Sequence, residues 1–394
     1  MKSRTAFFSY IFLWLLYWLQ GIIYESGGFV SKGILLAILF MSVYYLFAVN
    51  SKPLIPMYIK SLNLMLILFT IYGLFRLEQG DWGKGVYTVY SYSFIKDHYM
   101  SLLPIYSFYY FTRRKNVTPL ILLVVLILFG IISIIFFIRT YTEASKLTGQ
   151  SAITNNSAYM FVSLVALLPL LKTKLAYKYL FLSILGVFVL MSAKRGAILA
   201  YILCVLEFVW FSIQHMPRRV RIKTMIGSSL LLIIGCYFAI YYIDSNEYLS
   251  LRLVETEHGS SSGRNLIFLS LIRHIRSDLS DIHLFFGNGA DSTYHIAGNF
   301  AHNDWLEVMT NMGIVGIIIY LYYWLCVYMT YRQLSSYPSL SYAFLIIMTL
   351  CFMRTLYSMS ISDMFVVTTM VIGYCIGEKD NNDRKKLWPK YIQQ

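Results

Sequence analysis

Long apolar runs alternate with short polar segments along most of this 394-residue chain. A run of about 20 apolar residues is long enough to cross the hydrocarbon core of a bilayer as an α-helix. Such a segment has to satisfy its own backbone hydrogen bonds, because lipid offers no partners for them. The pattern predicts an all-α polytopic membrane protein with about twelve transmembrane helices, at residues 6–24, 33–49, 60–76, 98–112, 118–138, 156–171, 177–193, 196–214, 224–243, 305–330, 337–357 and 360–377.

The first of these runs follows Lys2 and Arg4, as the apolar segment of a secretory signal peptide would. It is longer and more aromatic than such a segment, and no small-residue cleavage site follows it. We therefore interpret this run as the first span.

One long polar stretch, residues 244–304, interrupts the pattern and is predicted to be a large extracytoplasmic loop that contains short helices. Within it, residues 264–277 combine a wide apolar face with basic residues opposite, which predicts a short helix at the membrane surface or beneath the loop. No repeat or linker divides the chain, so residues 1–377 are expected to form a single transmembrane domain. Residues 378–394 are expected to be a polar cytoplasmic tail.

The second half of this loop carries turn and helix-start signals. Residues 286–291 are rich in glycine and asparagine, which is typical of a turn with positive φ angles. A further helix is expected to begin near Asn303 or Asp304. Asp304 and Glu307 are three residues apart and are predicted to form a capping box.

The charge distribution is that of an inner-membrane protein. Hydrophobic residues make up 58% of the chain and charged residues 13%, and the formal net charge is +14. With both termini in the cytoplasm, most Lys and Arg residues fall on the cytoplasmic side and most Asp and Glu residues outside, as the positive-inside rule predicts. Nucleic acid is therefore not needed to explain the charge. The same rule supports the weakest span, 98–112, which contains Pro104.

Several kinds of chemistry find no support in the sequence. All five cysteines lie within predicted helices, so no disulfide framework is implied. No P-loop, dinucleotide fingerprint or nucleophile elbow is present. A metal site formed by His302, Asp304 and Glu307 lacks a second histidine or carboxylate pair at ligand spacing. We expect no metal and no cofactor.

Two sets of cations are candidates for binding an anionic group. Lys194 and Arg195 occupy a tight turn on the predicted outer side, where they either extend to lipid headgroups or bind a substrate. Arg264 follows a glycine- and serine-rich segment and begins a predicted helix, so its guanidinium can bind a phosphate through two parallel hydrogen bonds. The alternative for Arg264 is a solvated loop arginine.

His302 is the best candidate for a general base, because an unperturbed imidazole accepts protons near neutral pH. The alternative is a histidine that only lies at the mouth of a helix. Tyr294 and His295 are close enough in sequence to line the same site. Arg354, near the outer end of the eleventh span, is expected either to contact the substrate or to pair with Asp363.

Four of these segments, in this order, resemble the O-antigen ligase/polymerase superfamily of bacterial envelope glycosyltransferases. The resemblance covers residues 186–330, and the N-terminal half matches only as a stack of spans. Its motifs are Ser192-Ala-Lys-Arg-Gly-Ala197 after a span, Arg264 opening a helix in a long loop, Phe285-Phe-Gly-Asn-Gly289, and Ala301-His-Asn-Asp-Trp-Leu306 leading into Met312-Gly-Ile-Val-Gly316.

The resemblance implies an inverting, metal-independent glycosyltransferase whose donor is a glycan on undecaprenyl diphosphate. It implies that Arg195 and Arg264 bind the diphosphate and that His302 removes the proton of the acceptor hydroxyl. The residues expected to contact substrate around them are Lys194, Arg354, Tyr294, His295 and Asn303.

Three functions stay open on this basis. A polymerase that joins lipid-linked repeat units is favoured, because the other external loops are short and no soluble domain is present. A ligase that passes finished glycan to lipid A core or protein is the alternative within the same class. A flippase is disfavoured, since Glu207 is the one ionisable residue in a mid-span position. Expected partners are the glycan donor and acceptor, membrane lipids, a chain-length regulator and a flippase.

Overall fold

The computed structural model describes residues 2–23, 28–74, 87–148, 157–214, 217–222, 264–278 and 281–392, with isolated positions between 225 and 245. The predicted ninth span, 224–243, and residues 246–263 of the predicted loop lie largely outside the described residues. The described residues are helical, with no β-strand among them.

The helices follow the apolar runs of the sequence. They are α1 (Lys2–Ile23), α2 (Phe29–Asn50), α3 (Met57–Leu74), α4 (Tyr87–Arg113), α5 (Pro119–Thr148), α6 (Ala158–Val165) with a 3₁₀ turn (Leu168–Leu170), α7 (Leu175–Met191), α8 (Arg195–Gln214), α9 (Arg264–Arg273), α10 (Asp281–Phe286), α11 (Ser292–Ala297), α12 (Asp304–Leu334), α13 (Pro338–Tyr357) and α14 (Val366–Ile392). A π-helical turn, His274–Asp278, extends α9, which confirms the short helix predicted at 264–277.

Six of the described helices are long and apolar enough to cross a membrane, namely α2, α3, α5 as far as Thr142, α8, α12 and α13. The segment from α6 to its 3₁₀ turn and helix α7 are apolar but shorter. The chain therefore has the make-up of a helical membrane protein, as the sequence predicted. The number of twelve spans stays a prediction.

The segment predicted as the sixth span is not one helix. Helix α6 ends at Val165 and the 3₁₀ turn follows. Pro169 explains the break, because a proline ring inside a helix clashes with the carbonyl four residues earlier, which here belongs to Val165. All residues from 157 to 171 are buried, so this segment runs through the interior of the bundle.

Helices α4 and α14 pack closely through two glycines. A Cβ atom on Gly373 would lie 2.7 Å from the backbone N of Tyr109, and one on Gly377 would lie 2.8 Å from Cβ of Thr112. Small residues four apart let two helix backbones approach each other in a membrane. The weak predicted span that contains Pro104 is thus a buried part of α4.

Helix α14 continues past residue 377 into the polar tail. Asn381 is buried, and its Nδ2 donates a hydrogen bond of 2.9 Å to the carbonyl of Thr112 near the end of α4. The Tyr109 hydroxyl donates to Asp380 Oδ2 at 2.5 Å. The beginning of the tail is therefore part of the helix bundle.

Several helix ends meet at one side of the bundle. Helices α8 and α12 begin there with Arg195 and Asp304, and α13 ends there at Tyr357. One stretch of α4, Asp97 and His98, lies at the same side. These ends surround the candidate site.

Candidate functional site

A cavity of about 410 Å³ lies at this side of the bundle. Two of the residues predicted from sequence, His302 and Lys194, line it directly. Its other walls are a mixture of aromatic rings, carboxylates and aliphatic side chains, and include Phe69, Phe94, Asp97, His98, Tyr159, Asp291, Phe300, Asp304, Glu307, Asn311, Met312 and Asp363.

Two cations, Arg264 and Lys194, act on His302. Burial lowers the pKa of the His302 imidazole from its ordinary value, and the charges of Arg264 and Lys194 lower it further. A lowered pKa keeps the imidazole neutral at physiological pH. A neutral imidazole is the form that a general base requires.

Arg264 and Arg195 approach the same region through the end of α13. Nη1 of Arg264 donates a hydrogen bond of 3.0 Å to the carbonyl of Tyr357. Gly196 lies so close to Tyr357 that a Cβ on it would be 3.0 Å from the Tyr357 Cβ. Arg195 precedes Gly196, so both arginines border one backbone segment. The structure thus brings Arg195, Arg264 and His302 to one side of the bundle, and their catalytic roles stay predictions.

Hydrogen bonds on both sides of His302 hold its backbone in place. Glu307 Oε1 accepts a hydrogen bond of 2.6 Å from the backbone N–H of Ala301. Asn303 Oδ1 accepts from two backbone N–H groups in the first turn of α12, at 3.0 and 3.1 Å. His302 itself has a φ of 51°, which lies in the left-handed region that residues other than glycine seldom adopt. The surrounding bonds therefore fix the backbone from which the imidazole projects.

The predicted capping box at the start of α12 is wrong. Asn303 is the residue that caps the helix, so its side-chain oxygen is occupied. The Asp304 carboxylate instead accepts hydrogen bonds from two backbone N–H groups of the loop between α13 and α14, at 3.0 and 3.3 Å. It also accepts one from the Tyr320 hydroxyl at 3.1 Å. Asp304 therefore fastens the start of α12 to that loop.

Glu307 is the centre of a second buried polar group that sequence reasoning missed. Its Oε2 accepts from the Thr293 hydroxyl at 2.6 Å and from Asn311 Nδ2 at 3.3 Å. The Ser292 hydroxyl in turn donates to Asn311 Oδ1 at 2.7 Å. A signal for this group was present in the sequence, because Asp304, Glu307 and Asn311 share one helical face of an otherwise apolar helix.

Helix α12 is broken at Gly313, where the glycine-rich loop 287–289 is inserted. Gly313 has a φ of 64° and a ψ of −157°, which is not helical. The carbonyls of Thr310 and Asn311 accept hydrogen bonds from the loop backbone at 3.0 and 2.9 Å. A Cβ on Gly287 would lie 2.3 Å from the backbone of α12. The prediction of positive φ angles is confirmed at both loop glycines.

Arg354 is buried and forms the ion pair with Asp363, the alternative that the sequence left open. Nη2 of Arg354 lies 2.7 Å from the Asp363 carboxylate and 2.7 Å from the carbonyl of Met359. The guanidinium also stacks at 5.0 Å from the rings of Tyr159 and Phe365. Arg354 does not line the cavity, so this geometry gives no support to a direct contact with substrate.

Tyr294 and His295 lie on α11, next to the cavity but not in its lining. The Tyr294 ring is 5.6 Å from the ring of Phe300, which does line the cavity. The rings of Tyr294 and His295 are 5.9 Å apart. These two residues therefore support the wall behind Phe300, and their contact with substrate stays a prediction.

The α4 side of the cavity was not predicted from sequence at all. Asp97 and His98 line it, at the start of the weakest predicted span. They reach the site because α4 packs against the loop after α13, where the backbone N of Met364 donates to Ser101 Oγ at 3.0 Å. Only the tertiary fold brings these residues near His302.

Within the described part of the chain, no group of three His, Cys, Asp or Glu side chains is arranged to hold a metal ion. The expected metal independence stays a prediction. Lys194 lines the cavity and can neutralise part of the charge of an anion there, the charge of Arg264 acts on the same region, and His302 can accept a proton. These two capacities suit a transfer in which a hydroxyl attacks and an anionic group leaves.

A comparison with models of known protein families and one with curated proteins each gave no match. The function of the chain therefore has to be inferred from its residues and their geometry.

Proposed function

We propose that the protein is an inverting glycosyltransferase that polymerises undecaprenyl-diphosphate-linked oligosaccharide repeat units. The product would be O-antigen or a capsular or exopolysaccharide. One observation carries the proposal: His302 lines a cavity with Lys194, and the charge of Arg264 acts on its imidazole. A general base and groups that bind a diphosphate are the two parts that this transfer needs.

In the proposed reaction, His302 accepts the proton of the acceptor hydroxyl as that oxygen attacks the anomeric carbon of the donor. The bond between this carbon and the diphosphate oxygen breaks on the opposite face, so the configuration inverts. Arg195 and Arg264 stabilise the negative charge on the departing diphosphate. Hydrogen-bond donors such as these guanidinium groups, already in position when the negative charge develops, lower the activation barrier more than solvent can.

The proposal includes the location of the reaction. With about twelve spans, the termini and most basic residues would lie in the cytoplasm of a bacterial cell. The cavity and the 244–304 loop would lie at the outer face of the inner membrane. Basic residues support this arrangement, since Lys52, Arg113 and Arg114 gather around Tyr109 and Tyr110 at the far end of α4. A flippase and a chain-length regulator would act beside it.

Glycan profiling of a strain that lacks this protein tests the proposal. Loss of a polymerase leaves single repeat units on the cell surface, which is the expected result. Full-length polymer that stays on its lipid carrier would identify a ligase instead. Repeat units trapped at the cytoplasmic leaflet would identify a flippase, and an unchanged profile would overturn the proposed function.

A further inference from the structure

His98 lines the cavity and offers it an acceptor atom. Its Nδ1 lies 2.7 Å from the carbonyl of Phe94 one turn earlier in α4. A carbonyl only accepts hydrogen bonds, so Nδ1 carries the proton and the neutral ring exposes Nε2 as an acceptor. Within the part of the chain that the structure describes, Nε2 has no hydrogen-bond partner. The residue is only 8% exposed.

Packing holds this ring in one orientation. The centroid of the His98 ring lies 4.0 Å from that of Phe69 and 4.3 Å from that of Phe94. With the Nδ1 edge turned toward its own helix, the edge that carries Nε2 is left to line the cavity. An acceptor at a cavity wall can receive a hydrogen bond from a ligand hydroxyl.

The charge on this wall differs from that around His302. Asp97 and Asp363 contribute carboxylates here, Asp97 beside Lys96 at 3.1 Å and Asp363 beside Arg354 at 2.7 Å. Both residues line the cavity, and each carboxylate is paired with a cation. Hydroxyl groups fit such a wall, whereas a diphosphate, which is rich in acceptors and negative charge, does not.

From this we propose that Asp97 and His98 form a sugar-binding subsite, opposite the cations near His302. Its ligand would be a hydroxyl-rich pyranose ring, held by hydrogen bonds to His98 Nε2 and the Asp97 carboxylate beside the apolar rings of α3 and α4. The subsite deepens the proposed function. It rests on that function because the sugar bound here is taken to be the acceptor, whose hydroxyl faces His302. A site built to accept hydrogen bonds from hydroxyls rejects ligands that lack them.

Saturation-transfer NMR on the full chain in detergent tests the subsite. The probes are the methyl glycosides of glucose, galactose, rhamnose and N-acetylglucosamine, each with and without inorganic pyrophosphate. Wild-type protein should transfer saturation to at least one glycoside whether or not pyrophosphate is present. The variant His98→Phe keeps the ring packing but removes the acceptor, and should weaken that binding about tenfold.

A matched variant, His283→Phe, replaces a histidine outside the cavity and should bind the glycoside as the wild type does. Asp97→Asn serves as a second test in case His98→Phe does not fold, and should weaken binding as well.

The subsite is overturned if no glycoside binds the wild type, if both subsite variants bind normally, or if pyrophosphate displaces the sugar. Glycoside binding in a protein whose deletion leaves the glycan profile unchanged would keep the subsite and remove the proposed reaction.

Discussion

The chemistry of the site depends on the charges around one imidazole. His302 is held between Ala301 and Asn303, whose hydrogen bonds fix the backbone. Burial lowers the pKa of the His302 imidazole, and the positive charges of Arg264 and Lys194 lower it further, which favours the unprotonated ring. Lys194 lines the cavity, so the charge of a single side chain can be removed while the histidine stays in place.

Replacing Lys194 by Met tests whether this charge tunes the base. The pKa of His302 should rise, since a neighbouring cation disfavours the imidazolium form. A base works in its unprotonated form, so transfer is lost as pH falls through that pKa. The acidic limb of the rate–pH profile should therefore move to higher pH in Lys194→Met.

The measurement is transfer from a lipid-linked donor in isolated membranes over a range of pH. Lys174→Met, at the opposite end of α7, serves as the matched control and should leave the profile unchanged. An acidic limb that stays in place in Lys194→Met would show that this charge does not act on the catalytic base.

At the scale of the elements, the decisive feature is the contact between the 287–289 loop and the break in α12. The loop supplies hydrogen bonds to carbonyls that the break leaves without helical partners. This contact places Glu307 and Asn311 at the cavity wall. Broken helices are tolerated at membrane depth where the freed groups are satisfied by protein.

A pair of glycine substitutions separates backbone strain from packing at this contact. Gly287 and Gly298 have similar φ angles, 74° and 70°, but only Gly287 faces another backbone within 4 Å. Gly298→Ala should lower the free energy of unfolding by about 1 kcal/mol, from the left-handed conformation alone. Gly287→Ala should lower the free energy of unfolding several times more, because the added Cβ would overlap the backbone of α12.

Thermal denaturation in detergent measures this difference as midpoint temperatures. The midpoint of Gly287→Ala should lie clearly below that of Gly298→Ala, and its transfer activity should be lost. Equal midpoints for the two variants would mean that the loop does not pack on the break.

Sequence patterns predicted the helices better than their surroundings. Run length identified most elements, because any helix that crosses lipid needs a long apolar stretch. The same pattern could not show that residues 157–171 are buried in protein, since lipid and the protein interior both favour apolar side chains. The roles of Asp304 and Glu307 were also missed, because their partners at Ser360 and Thr293 are distant or on another helix.

At the scale of the whole molecule, the α4–α14 pair connects the two sides of the bundle. Its near end carries Asp97 and His98, and its far end is fastened by Asn381 to Thr112. The glycines of α14 allow the close contact in between. The candidate site therefore depends on a helix pair whose sequence is only weakly apolar.

Two further glycine substitutions test this pair. A Cβ on Gly373 would lie 2.7 Å from the backbone of α4, whereas one on Gly33 meets nothing within 4 Å. Gly373→Ala should lower the unfolding free energy by about 1–3 kcal/mol through overpacking. Gly33→Ala should raise it by up to about 1 kcal/mol, since alanine favours a helix. Shifts of the same sign in the two midpoint temperatures would contradict the close packing.

The sequence could predict only part of the site. Motifs located His302, Lys194, Arg195 and Arg264, because each stands out chemically in an apolar chain. Asp97 and His98 carry no such signal, as they are more than ninety residues from the nearest motif, which begins at Ser192, and meet the others only through helix packing. Local patterns identify reactive side chains, and the fold decides which of them share a cavity.

The central claim is that Arg195, Arg264 and His302 act together on a lipid-linked diphosphate at this cavity. The most direct test is glycan profiling of the deletion strain after complementation with Arg195→Ala, Arg264→Ala or His302→Ala. Each variant should be inserted in the membrane at wild-type levels and still produce only single repeat units. Full-length polymer from cells that carry His302→Ala would contradict the claim.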